Sequence, residues 1–110
     1  MKGSISKTHA GFLTYDVYEA EADLVFPVVS AIEKQFGYEV QRLPGFSLTG
    51  PVVELVRGDV KIVVSWDNWS GLFVMAVDEK GDPEVRKIGD FLDGKLDELS
   101  RSVIPDARKK

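Results

Sequence analysis

The alternation of apolar and polar positions is sharpest between residues 60 and 78. Val60, Ile62, Val64 and Trp66 alternate with Lys61, Val63, Ser65 and Asp67, and a period of two in β-branched residues predicts a strand. Residues 72–77 are apolar on both faces: Leu72, Val74 and Ala76 point one way, Phe73, Met75 and Val77 the other. Such a run suits an interior strand covered on both sides, or one covered on one side and sticky on the other. Between the two lies Asp67-Asn68-Trp69-Ser70-Gly71, rich in turn-forming residues. Upstream, residues 52–57 reach Val60 through Gly58-Asp59, a connection of hairpin length. Three consecutive antiparallel strands follow.

The same reading extends to both ends. Leu13, Tyr15 and Val17 alternate with Thr14 and Asp16, which predicts a first strand. Leu24, Val28, Ala31, Ile32 and Phe36 recur at helical spacing, so residues 20–36 are expected to form a helix with Asp23 as N-cap, Pro27 ending its first turn and Gly37 closing it. Residues 38–43 form a short strand candidate. Residues 44–51 form an irregular loop whose Phe46 and Leu48 either tuck onto the sheet or project from it. Asp82-Pro83-Glu84 carries the features of a helix start. Val85, Ile88, Leu92, Leu96, Leu99 and Val103 then keep helical spacing for about five turns, with Gly89 and Gly94 either weakening the helix or permitting close packing. Pro105 ends it.

The expected fold is α+β: a mainly antiparallel sheet of about five strands, in chain order β-α-β-β-β-β-α, with both helices on one face. A single domain spans residues 1–105, with 1–9 frayed and 106–110 a mobile basic tail. The opposite face is left short of cover. Val63, Phe73 and Met75 there call for a loop, a partner or a second copy of the chain.

Composition narrows the function. The chain of 110 residues is 44% apolar and 29% charged, values of a globular domain. It has no cysteine, which removes disulfides and thiolate chemistry and fits the cytoplasm. No apolar run reaches membrane-spanning length, and the first residues lack the hydrophobic segment of a signal peptide. Without Asp106, Arg108, Lys109 and Lys110, residues 1–105 hold 11 basic and 17 acidic side chains, a net −6. That balance argues against nucleic-acid binding, which rests on phosphate neutralisation; it either serves solubility alone or accords with a basic protein partner.

No catalytic constellation emerges. His9 is the only histidine, too little for a zinc site without several carboxylates, and no serine sits in a nucleophile elbow. No metal, cofactor or catalytic residue is assigned. The densest recognition candidate is Trp66-Asp67-Asn68-Trp69, which holds both tryptophans of the chain; tryptophan combines large area with one polar donor. Trp66 shares the face of Ile62 and Val64 and is expected to cap the core. Trp69, at the turn tip, either folds over the hairpin end or stands free for a partner. Asp67 either caps the turn or makes an ionic contact. Asn68, Glu54, Asp59 and Asp78 complete the partner-binding candidates.

The block VVELVRGDVKIVVSWDNWSGLFVMA, followed by DPEVRKIGDFLDGKL, resembles small immunity proteins of bacterial polymorphic-toxin and contact-dependent inhibition systems. The likeness covers residues 50–100: an apolar run, an acidic-aromatic turn with glycine, a second apolar run and a closing helix. It implies a stoichiometric inhibitor of a cognate toxin, such as a basic nuclease. Two other expectations compete with it. One is a structural domain that dimerises through Val63, Phe73 and Met75; the other is a small-molecule enzyme or binder with a carboxylate–tryptophan pocket.

Overall fold

The computed structural model describes residues 1–41, 45–46 and 51–103. Its strands are β1 (Ser4–Lys7), β2 (Leu13–Val17), β3 (Glu39–Val40), β4 (Gly45–Phe46), β5 (Pro51–Arg57), β6 (Val60–Asp67) and β7 (Gly71–Ala76). Its helices are α1 (Val25–Phe36), α2 (Asp82–Asp93) and α3 (Leu96–Val103), with 3₁₀ turns ahead of α1 and α2. Every pairing is antiparallel, in the order β1-β2-β7-β6-β5-β3, and β4 also pairs with β5. The α+β class and the helices on one face are as expected. The sheet has two more strands than expected.

The three-stranded meander forms where the alternation placed it. Gly58, at φ 63°, lets β5 return as β6 after two residues, with Arg57 opposite Val60. Gly71 sits at φ 70° where β6 turns into β7, and a Cβ there would collide with the Val17 carbonyl oxygen of β2. Glycine is therefore required for both the turn and the close approach of β2.

One face of the sheet builds the core. Tyr15, Val74, Val64 and Val53 form a continuous cross-strand row, and each is buried. Leu55, Ile62 and Ala76 form the next row, and Val17 and Leu72 lie on the other side. Val25, Val28, Val29 and Ile32 of α1 and Val85, Ile88 and Leu92 of α2 close over them. Gly89 lets α2 descend onto the sheet, since a Cβ there would lie 2.7 Å from Cδ1 of Tyr15.

Four local expectations are corrected. Residues 4–7, expected within a frayed segment, form the edge strand β1, anchored because the Gly3 amide donates to Asp93 Oδ1 at 3.1 Å and the Met1 ammonium pairs with Asp97 at 3.0 Å. Asp23 is not an N-cap: a 3₁₀ turn, Ala22–Leu24, precedes α1, so Pro27 still falls in the helix's first turn. Asp82 does not cap α2 either. Its Oδ1 accepts the Leu13 amide at 2.9 Å, and Asp78 caps the preceding 3₁₀ turn instead. The expected single C-terminal helix breaks at Gly94, where the Gly94 and Lys95 amides turn back to Phe91 and Leu92. Gly37 closes α1 at φ 77°, as the spacing required. Of the second expected strand, residues 38–43, Glu39–Val40 is the part found as strand among the described residues. The alternatives for the Phe46 and Leu48 side chains fall outside the described residues.

A charged network fastens α2 to the β3–β5 edge. Glu84 accepts a hydrogen bond from Tyr38 Oη at 3.1 Å and pairs with Arg57 at 2.8 Å and Lys87 at 3.6 Å. Arg57 also donates to the Phe36 carbonyl at 2.9 Å and stacks over the Tyr38 ring at 4.7 Å. Burial, reinforced by the Glu84 charge, pushes the Tyr38 phenol up to about 12, so it remains a donor at physiological pH. Arg57→Met removes the closest cation from a nearly buried carboxylate and leaves it Tyr38 and the more distant Lys87. Denaturant unfolding should register a loss of about 2–3 kcal/mol, below the full cost of breaking a buried pair because the arginine end is partly solvated.

Candidate functional site

The β6–β7 turn joins the last two strands of the meander. Asp67 Oδ1 accepts the backbone N–H of Trp69 at 2.9 Å and of Ser70 at 2.6 Å, an Asx turn that locks the loop. Asp67 thus plays the capping role foreseen for it. Asn68 is exposed beside it. Trp69 is 85% exposed at the tip, the most exposed large apolar side chain among the described residues. Its neighbour in sequence behaves oppositely. Trp66 faces the core, and its Nε1 donates to the Ala20 carbonyl at 2.8 Å. The indole donor that a carboxylate–tryptophan pocket would use is therefore already engaged.

The remaining acidic candidates do not join this tip. Asp59 lies at the β5–β6 turn and pairs with Lys80 at 3.4 Å, while Asp78 accepts the Lys80 amide at 3.0 Å. Both belong to the opposite end of β6, roughly 20–25 Å from Asp67 at about 3.3 Å per residue. Glu54 sits midway, on the face away from the helices, opposite Val63 and within 3.5 Å of the Lys61 ammonium. The six partner-binding candidates therefore divide between two ends and a centre.

The outer face carries the self-association candidates where alternation put them. Met75 pairs with Val63, Phe73 with Ser65, and all three candidates are half-buried. Across β7, Thr14 faces Met75 and Asp16 faces Phe73. Here the structure reveals a residue that alternation alone did not single out. All of β2 is buried, so Asp16 is a carboxylate only 7% exposed. The missing signal was β1: with that strand in place, β2 is interior, and its polar positions leave solvent.

Burial pushes the Asp16 carboxyl above the usual carboxylate range, and Asp67 adds to this, against the lowering effect of hydrogen bonds from Thr14 and Tyr18. An acid whose folded-state value is raised binds its proton more readily in the folded chain. Its stabilising contribution is full below the unfolded value and is lost as pH rises through the folded one. Asp16→Asn is therefore expected to be more stable than wild type at pH 7. The difference should shrink as pH falls through the carboxylate range, as urea unfolding at a series of pH values will show.

Among the described residues, no group of three His, Cys, Asp or Glu side chains is placed to hold a metal ion, and no helix is long and apolar enough to cross a membrane. Comparison of the chain with protein-family models, curated proteins and solved structures yields no match.

Proposed function

We propose that this chain is a non-enzymatic protein-binding domain, and most concretely an immunity protein that binds and neutralises a cognate bacterial toxin. The observation that carries the reading is Trp69, 85% exposed yet seated on a turn braced by two hydrogen bonds to Asp67. A large aromatic side chain held out on a preordered turn loses little conformational entropy on binding, the property of an interface anchor. The acidic body of the chain suits a basic partner, whose approach it accelerates. The resemblance of residues 50–100 to small immunity proteins supplies the specific form of the proposal.

Affinity capture from the native host tests it, with wild type beside Trp69→Ala. A stoichiometric partner retained by wild type and lost by the variant supports the reading; equal recovery by both removes Trp69 from it. A second reading is self-association through Val63, Phe73 and Met75, favoured by the confinement of all three helices to the other face. It requires a dimer in sedimentation at micromolar concentration that Phe73→Glu dissociates.

A further inference from the structure

Beside the Trp69 turn, the outer face of the sheet holds an open pocket of about 220 Å³, lined by Thr14, Asp16, Asp67, Ser70, Phe73 and Met75 and, from the β1 side, by Lys7. The buried Asp16 is part of its lining. Asp16 Oδ1 accepts from Thr14 Oγ1 at 2.8 Å, and Oδ2 accepts only a long, weak bond from Tyr18 Oη at 3.5 Å, against a usual O–H···O span of about 2.5–3.0 Å. No described basic side chain forms an ion pair with Asp16, Lys7 included. Asp67, at the same cavity, engages only Oδ1 with the turn amides. An asparagine at position 16 would satisfy Thr14 equally well, so folding has no use for the charge. A carboxylate buried without a counter-cation is instead a standing cost to the fold.

We infer that this cavity receives a guanidinium group, presented by an arginine side chain of the protein partner; the inference rests on the protein-binding reading above and specifies its chemistry. The planar fork of five donors matches two carboxylates carried on separate strands, where an ammonium acts as a point charge. Phe73 offers an aromatic wall to a flat cation, and Met75 a polarizable one. The volume equals roughly seven waters at about 30 Å³ each, room for the group with its adjoining methylenes. Trp69 and the arginine cavity then form one continuous surface, since Asp67 and Ser70 belong to both.

The full chain, labelled with ¹⁵N and ¹³C, is titrated with Nα-acetyl-arginine N-methylamide and separately with its neutral citrulline isostere. Saturable shifts of the amides of residues 14, 16, 67, 70, 73 and 75 are expected with the arginine probe. Binding should be at least about tenfold weaker with citrulline and in a folded Asp16→Asn variant, in line with the loss of a charge-assisted contact. A second readout needs no variant: saturation with the arginine probe should move the midpoint of the Asp16 carboxyl titration downward, with Lys7, Tyr18 and Asp67 the other titratable groups facing it. Shifts that fail to saturate, equal binding of citrulline, or an unmoved midpoint overturn the inference. Equally tight binding of the lysine analogue overturns its guanidinium part. The two readings fail separately: a partner captured through Trp69 with no probe binding defeats the cavity alone. Probe binding with no partner captured defeats the protein-binding reading alone.

Discussion

Tyr15→Ala is expected to be the most destabilising single substitution in the chain, at about 3–5 kcal/mol. Tyr15 is 1% exposed, stands at one end of the central core row beside Val74, and has Gly89 of α2 against its ring. Its removal opens a cavity under α2 at the glycine that packs against that ring. The hydroxyl matters as well. It donates to Asp93 Oδ1 at 2.6 Å, the same oxygen that accepts the Gly3 amide, so one contact ties β2, the end of α2 and the N-terminal strand together. Burial first, and then Asp93, pushes the phenol far above its ordinary range and keeps it a donor. Tyr15→Phe retains the packing and loses only this bond, so about 1–2 kcal/mol is expected. Against a total stability of about 5–15 kcal/mol, the alanine variant should unfold at much lower denaturant than the phenylalanine variant. Equal losses would show that the hydroxyl, not the ring, dominates.

Trp69→Ala should leave stability within about 0.5 kcal/mol of wild type, because the side chain is in solvent and the turn is held by Asp67. On the protein-binding reading, the same change should weaken partner affinity at least about 30-fold, the loss of a hot-spot residue worth about 2 kcal/mol or more. Calorimetric titration of the captured partner against both forms measures one quantity, and urea unfolding the other. The contrast between them is what identifies an interface residue. Loss of both together would make Trp69 structural.

The meander of β5, β6 and β7 was legible because each of its strands alternates in its own right and its turns carry glycine where φ is positive. Gly37 and Pro27 marked α1 for the same local reason. What escaped was set by long-range pairing. Ser4–Lys7 has no apolar alternation and becomes a strand only because β2 offers an edge and Asp93 anchors Gly3. Once β1 is in place, Asp16 changes from an exposed strand residue to a buried carboxylate, a shift no local pattern contains. The break at Gly94 was also hidden, since the apolar spacing runs on unchanged from Leu92 to Leu96 and Leu99. For the site, Trp69 and Asp67 were visible as a turn, but the separation of Asp59 and Asp78 from it follows only from the length of β6.

Site-specific photocrosslinking in the native host tests the central claim most directly, with a benzophenone amino acid at position 69 and, as control, at Lys34 on α1. The account predicts a covalent adduct with one heterologous protein from position 69 and none from position 34. An adduct of twice the chain's own mass would transfer the function to self-association. Adducts of equal yield from both positions, or none from position 69, would contradict a dedicated protein-binding surface at this turn.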